Sequence, residues 1–156
     1  EFGFIKISAG NMELFIRTIP DYSQMELAHA HDDVFHWEVV SDHSRIRPDL
    51  GSIAYTSNPK ARMFFASARS HNVPVHKTPI IKRSGIFAAE TSAKGETYFD
   101  EDQISLIVYT ENYVHMRTFV WKGNCMDIFD DSDDEFLYHK RKNERYSLGY
   151  GQLYEG

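Results

Sequence analysis

The chain has 156 residues, of which 42 % are hydrophobic, 26 % charged and 14 % aromatic, so it is sized for one globular domain and is not a disordered chain. Its single cysteine, Cys125, excludes a disulfide framework and a cysteine-only zinc site, and favours a reducing compartment. The net charge of −6 by itself argues against a nucleic-acid partner, and no apolar stretch approaches the ~20 residues of a membrane span, so no membrane partner is expected.

The predicted elements are mostly strands, rich in β-branched and aromatic residues. In chain order they cover residues 12–19, 35–40, 103–109, 119–121 and 136–138. Asn58 and Pro59 are a cap and a first residue for a short helix, although the residues that follow would serve equally well in a strand. Residues 113–119 suggest a second short helix. The pattern predicts a mostly β domain whose sheet is closed, or nearly closed, into a barrel.

Charge is segregated along the chain. Residues 60–95 hold seven basic residues and one acid, and residues 138–147 hold four basic residues and one acid. Residues 96–137 hold 11 acids and two basic residues. A polyanion responds to the local potential, which salt screens over ~8–10 Å, and not to the sum over the molecule. The two basic blocks favour an anionic partner if they meet in space, and are otherwise solvated loops.

Four residues near the first third of the chain have metal-ligand chemistry: His29, His31, His36 and Glu38. Alternate residues on a strand share a face, so the first two and the last two could each converge on a metal. The pattern resembles a cupin cluster but lacks its glycines, and histidines on the surface of a hairpin are the other interpretation. Dinucleotide, phosphate-loop and nucleophile-elbow motifs are absent, so no catalytic residue, metal or cofactor is assigned.

Four segments carry a resemblance to a known family: residues 65–82, 104–113, 119–128 and 145–156. Their apolar runs, Gly-containing turn and long basic loop resemble the OB-fold domain of the telomere end-binding, protection-of-telomeres family. Asn124-Cys125 stands where that family often has an aspartate, and residues 1–58 have no counterpart in it. The resemblance implies a five-stranded OB-type barrel over residues 60–156, with residues 1–58 as an N-terminal β extension packed on the same domain.

The same resemblance implies that the chain binds single-stranded DNA, namely the G-rich telomeric overhang, without catalysis. It further implies a nuclear location at chromosome ends, with other telomere or chromatin proteins as partners. The expected nucleic-acid contacts come from basic loops for phosphates and aromatic rings for bases. These residues are Arg69, Lys77, Lys82, Arg83, Tyr98, Tyr109, Tyr138, Lys140 and Arg141.

Two alternatives remain open at this point. The first is a β-rich protein-interaction module that binds no nucleic acid and uses its basic loops on an acidic partner. The second is a metal-dependent enzyme built on the histidines and Glu38 of residues 29–38. Metal analysis of the purified protein distinguishes the second alternative from the others.

Overall fold

The computed structural model describes residues 3–19, 22, 27–41, 44–46, 48–54, 56–122, 125–139, 145–146 and 154–155. Within them the chain is mostly β, as predicted. The strands are, in chain order, β1 (Phe4–Ala9), β2 (Met12–Arg17), β3 (Trp37–Ser41), β4 (Ser44–Ile46), β5 (Pro74–His76), β6 (Lys82–Arg83), β7 (Ala89–Glu90), β8 (Lys94–Phe99), β9 (Gln103–Tyr109), β10 (Val114–Lys122), β11 (Cys125–Ser132), β12 (Phe136–Tyr138), β13 (Arg145–Tyr146) and β14 (Tyr154–Glu155). One α-helix, α1 (Pro59–Phe65), and short 3-10 turns at Leu27–His29 and Ala68–Ser70 complete the described elements.

Two four-stranded antiparallel sheets form the body of the described fold. The first has the order β1-β2-β3-β4 and the second the order β11-β10-β9-β8, while β12 pairs with β5 beside them. Side chains from both sheets enter one core cluster, which includes Ile16 of β2, Leu106 and Val108 of β9, and Phe119 of β10. The sheets are therefore held together by apolar burial between their inner faces.

Period-2 alternation explains which side chains reach that core. In β9, Ile104, Leu106 and Val108 are buried, while the residues between them are half-buried and Tyr109 is exposed. This is the division of faces that alternation predicts for a strand with one covered side. The predicted strand at residues 103–109 is therefore confirmed in its bounds.

The helix predictions had opposite outcomes. The Asn58 side chain accepts a hydrogen bond from the Ala61 amide at 3.1 Å, so the predicted cap of α1 is confirmed. The helix suggested at residues 113–119 is wrong, because β10 pairs along its length with β9 and β11. Hydrogen-bonded pairing with a neighbouring strand on each side makes this segment a strand, since such pairing overrides a weak local preference for helix.

No sheet closes into a barrel in the part of the chain that the structure describes, because both four-stranded sheets are open at their outer strands. Mostly β architecture is thus confirmed, and the five-stranded OB-type barrel is not what these strands form. The division into an extension at 1–58 and a core at 60–156 stays a prediction. No helix among the described residues is long and apolar enough to cross a membrane.

Gly95 of β8 provides a first test of the packing. A Cβ at this position would lie 2.7 Å from the Cβ of Ile19, which is closer than real side chains approach. We expect Gly95→Ala to lower the free energy of unfolding by about 1–3 kcal/mol, measured by urea denaturation. Gly85→Ala is the control, because its new Cβ would meet Ala88 at an ordinary 3.6 Å. Equal stability of the two variants would contradict the close contact.

Candidate metal centre and adjoining cavity

A fixed bend places His36 just before β3. The Arg17 amide donates to the His36 carbonyl at 2.8 Å, and the Phe35 amide donates to the Arg17 carbonyl at 3.1 Å. Phe35 has φ 73°, which is uncommon for a bulky residue and persists only where the surroundings determine it. Its carbonyl is held in turn by Arg117 Nη1 at 3.0 Å. The neighbouring elements thereby set the position of His36.

Three ligand-type side chains from separate segments converge here: His36, Asp49 and His71. Their candidate ligand atoms all lie within 4.8 Å of one another. Asp49 sits in the turn after β4, where its Oδ1 accepts the Gly51 amide at 2.6 Å, and Gly51 has φ 73°, a conformation that glycine adopts readily. His71 follows the 3-10 turn Ala68–Ser70 and is buried. We refer to these three residues as the His–Asp–His cluster.

A chain of hydrogen bonds runs through His71. Arg62 Nη1 lies 2.6 Å from His31 Nε2, and an arginine can only donate, so this imidazole nitrogen accepts. The hydrogen of His31 is therefore on Nδ1, 3.2 Å from His71 Nε2. His71 then carries its own hydrogen on Nδ1 and donates it to Asp49 Oδ2 at 2.5 Å. One arginine thus fixes the tautomers of both histidines.

His36 is oriented from its other side. The Asn72 amide donates to His36 Nδ1 at 3.0 Å, which leaves the ring hydrogen on Nε2. That Nε2 faces Glu38 Oε1 at 3.3 Å and Asp49 Oδ2 at 3.5 Å. Glu38 Oε1 also accepts the Asp49 amide at 3.1 Å. Glu38 therefore helps to hold both His36 and Asp49 in position through these contacts.

Burial and nearby charges shift the pKa values of Asp49 and His31 away from their usual ranges. Burial alone would raise the pKa of Asp49, but the hydrogen bond from His71 and nearby positive charge bring it down to about 2. Burial, followed by the charges of His71 and Arg62, lowers the pKa of His31 to about 3. Asp49 is thus ionised at neutral pH, as a cation ligand must be. Burial would lower the pKa of the second ligand, His71, but its hydrogen bond to Asp49 and the Asp49 charge raise it, so a cation has to compete with a proton there.

A divalent cation fits this donor set. Two imidazoles and a carboxylate are ligands that zinc and related ions accept, and three protein ligands leave a fourth position for water or substrate. His36 would ligate through Nε2, which faces Asp49 Oδ2 at 3.5 Å. Coordination needs lone pairs on His36 Nε2 and His71 Nδ1, so the ring hydrogens would move to His36 Nδ1 and His71 Nε2, and the hydrogen bonds that these nitrogens accept from the Asn72 amide and His31 would be given up.

A cavity of about 340 Å³ adjoins the cluster and shares His71 with it. Among the described residues it is lined by Trp37, His71, Asn72, Val73, Arg117, Ile128, Tyr138 and His139. Arg117 is fully buried and binds Asp130 through Nε and Nη2, both at 2.8 Å. The Tyr138 hydroxyl also donates to Asp130. This network forms one polar wall of the cavity.

The predicted nucleic-acid residues lie on separate segments of the chain, and part of the set lies outside the described residues. Arg69, Lys77 and Lys82 are exposed on three different segments, and Lys82 lies 3.8 Å from the Glu111 carboxylate. Arg83 is half-buried, with its Nε and Nη2 enclosed by protein and a carbonyl contact at Ile86. Lys140 and Arg141 lie outside the described residues.

The tyrosines of that set lie on opposite sides of the second sheet, to which Tyr98 and Tyr109 belong and Tyr138, on β12, does not. Tyr98 and Tyr109 are on its outer face, where both hydroxyls donate to Glu96 Oε2, at 2.5 and 3.2 Å. Tyr138 lies toward the inner side, with its ring 5.9 Å from the guanidinium of buried Arg117. Tyr109 and Tyr138 therefore cannot stack bases between them. A ligand-binding role for the set as a whole stays a prediction.

The histidine pattern at residues 29–38 contains part of the cluster. His36 is in it, His31 contacts it through His71, and Glu38 braces it. His29 is exposed and faces Phe87 instead. Sequence reasoning missed Asp49, which reads as a turn residue, and His71, which lies in a loop. The one local signal at Asp49 is the glycine two residues later, Gly51, and this pattern indicates a turn and not a metal ligand.

The comparison with protein families decides between the functional interpretations. A family model described as "Heparinase II/III-like, C-terminal" matches residues 1–134, which include both four-stranded sheets, the His–Asp–His cluster and most of the cavity lining. The chain belongs to this family. The match also crosses the boundary predicted near residue 58. No curated protein and no solved structure matches the chain.

Membership in the heparinase-like family overturns the telomere interpretation. Single-stranded DNA and telomere or chromatin proteins as partners, and a location at chromosome ends, are wrong together with the resemblance that implied them. The expectation of a non-enzymatic protein is also wrong, since the family is one of carbohydrate-active enzymes. The resemblance rested on short apolar and aromatic runs that many hairpins share; residues 119–128, for example, fall in the ordinary hairpin of β10 and β11.

Proposed function

We propose that this chain is the β domain of a polysaccharide lyase that acts on acidic glycans, and that its His–Asp–His cluster holds a divalent cation. The observation that carries the proposal is the family match over residues 1–134, because this family consists of polysaccharide lyases. The cluster and the cavity beside it support a role in binding the glycan, since the two share the buried His71.

Eliminative cleavage removes the proton next to the carboxyl group of an acidic sugar and expels the glycosidic oxygen, which leaves a carbon–carbon double bond. The sugar carboxylate gains negative charge as that proton departs, so positive charge beside it lowers the barrier. A cation held by His36, Asp49 and His71 would supply such charge. The chain's own contribution is to hold these ligands in place before the ion binds, through Arg62, Glu38 and the Asn72 amide.

The reaction class can be tested by its products. The protein is incubated with glucuronate-containing glycans, with alginate-type glycans and with a neutral glucan, and both new reducing ends and new ultraviolet-absorbing double bonds are measured. A lyase generates both signals in equal amounts from the acidic glycans alone. Reducing ends without double bonds would indicate hydrolysis and contradict the proposal.

The cation can be tested separately from activity. We expect about one zinc-type ion per chain after reloading of chelator-treated protein, with a rise in melting temperature that depends on metal concentration. Asp49→Asn removes the ligand charge but keeps the oxygen that accepts the Gly51 amide, and should weaken metal binding by at least about 100-fold. His29→Ala is the matched control, because this histidine lies outside the cluster. Equal metal contents in the two variants would contradict the assignment.

A further inference from the structure

A second pair of histidines lies outside the His–Asp–His cluster, between β5 and β10. His76 is the last residue of β5, and its Nε2 lies 2.9 Å from Nδ1 of His115 near the start of β10. Their side chains are 3 % and 0 % exposed. The ring of Tyr113 stacks on His76, with centroids 3.9 Å apart and an interplanar angle of 11°. His76 is therefore held in place both by a hydrogen bond and by a ring contact.

The positions of the ring hydrogens in this pair follow from Asp130. Burial alone would raise the pKa of Asp130, but hydrogen bonds from His115 and Arg117 and the Arg117 charge hold it well below its usual range. The carboxylate is thus ionised and accepts, so His115 Nε2, at 2.8 Å from Asp130 Oδ1, carries a hydrogen. In a neutral pair, His115 Nδ1 then has the lone pair and His76 Nε2 donates to it. His76 Nδ1 is left without a hydrogen.

This remaining nitrogen has an unfavourable position in the neutral pair. It is buried, no group among the described residues donates to it, and it faces Asp134 Oδ2 at 3.5 Å. A lone pair that faces a carboxylate is repelled, and a buried polar atom without a hydrogen bond destabilises its surroundings. One added proton reverses this, because His76 Nδ1–H can then donate to Asp134 while every other ring nitrogen of the pair keeps its partner.

From this geometry we propose that His76 and His115 form a one-proton switch that draws the turn between β11 and β12 onto β5 when the pair is protonated. Asp134 lies in this turn, and β12 pairs with β5 so that Phe136 is opposite His76. The pair binds a proton more tightly when Asp134 is engaged than when its carboxylate has swung away, so acidification favours the engaged turn. Because β12 continues to Tyr138, the switch acts on one wall of the cavity.

The charges around the pair set the pH at which the switch operates. Burial and then His115 lower the pKa of His76, while Asp134 and Asp130 raise it. Burial and His115 act whether or not Asp134 is engaged, so they move the switch to lower pH without changing its direction. The unfolded chain takes up this proton first, so overall stability falls as the pH drops from the usual histidine pKa to that of folded His76. The other titratable or charged side chains around the pair are Arg117, Tyr113 and Asp32.

Histidine-selective ¹⁵N NMR of the whole chain measures the protonation directly. At about pH 8 we expect His76 to carry its hydrogen on Nε2 alone, and the pair to take up one proton on acidification. Asp134→Asn should lower the apparent pKa of this uptake by about half a unit or more, because it removes the carboxylate that faces Nδ1. Asp131→Asn is the control, since it removes the same charge from an exposed position on β11 and should shift the pKa much less. A hydrogen on His76 Nδ1 at about pH 8, or equal shifts in the two variants, would overturn the switch.

Hydrogen exchange measures the turn itself. Relative to the amides of β9, the protection factors of the β5 and β12 amides should rise about fivefold when the pair becomes protonated, in wild type and in Asp131→Asn. Asp134→Asn should show no such rise, and unfolding curves at each pH establish that all three proteins are folded. The same pH dependence in Asp134→Asn as in wild type would overturn the proposal. Neither measurement needs a metal or a glycan, so the switch and the lyase proposal are tested separately.

Discussion

Replacing Arg117 with methionine should lower the free energy of unfolding by about 3–5 kcal/mol, because it would leave the buried Asp130 carboxylate without its principal partner. Arg117 and Asp130 face each other across β10 and β11, and their side chains are 1 % and 2 % exposed. The same guanidinium binds the carbonyls of Phe35 and Asn72, each at 3.0 Å, and so ties the second sheet to the segments that carry His36 and His71. Urea denaturation at neutral pH measures the loss.

The same pair of strands offers a control for this prediction. Lys122 and Asp127 form an ion pair at 2.9 Å near the other end of β10 and β11, but both side chains are about half exposed. Lys122→Met should therefore change stability by less than about 1 kcal/mol. Comparable losses in the two variants would show that burial does not set the strength of the Arg117 pair.

Asp32→Asn should stabilise the protein at alkaline pH and leave it unchanged in acid. Asp32 is buried, and its Oδ1 accepts the Ile81 amide at 3.2 Å, a bond that asparagine can keep. Burial raises the pKa of Asp32 to about 7, with Asp33 adding to the rise, while His71 and the amide bonds oppose it. Arg83 also faces this carboxylate. Ionised Asp32 is thus unfavourable in the folded state.

The sign follows from proton counting. Between about pH 4 and pH 7 the folded protein holds a proton on Asp32 that the unfolded chain has lost, so stability falls as the pH rises through this window. A shift of about three units corresponds to about 4 kcal/mol. Denaturant midpoints should coincide for wild type and Asp32→Asn near pH 4, and the variant should be more stable near pH 8. A variant that is no more stable near pH 8 would show that the ionised carboxylate is fully compensated.

Local patterns predicted those elements whose own side chains decide their structure. The β-branched and aromatic residues of 103–109 identified β9, and Asn58 with Pro59 indicated the start of α1, although the residues after them also suited a strand. Residues 113–119 were misread because their sequence favours neither state clearly, and pairing with β9 and β11 then determines the strand. A single strand has no means of indicating whether its sheet will stay open or close into a barrel.

The candidate site was predictable only in part. His36 and Glu38 share a strand face near the start of β3, so their meeting is a local property. The contacts of His36 with Asn72 and of His31 with Arg62 join residues 36 and 31 positions apart, and no periodicity reports such distances. In the same way, nothing local indicates that Tyr109 lies on the outer face of the second sheet while Tyr138, in a different sheet, lies beside the buried Arg117.

The sequence by itself determined that this is a mostly β chain and where its best strands run, and of the three cluster residues it singled out only His36 as a candidate ligand. Those properties depend on composition, caps and the two-residue period of a strand, all of which act over a few residues. Tertiary structure alone decided that Asp49 and His71 join His36, and that Arg117 reaches Phe35 across 82 positions of sequence. Long-range contacts of this kind are selected by the burial and charge balance of the whole core, which no short segment contains.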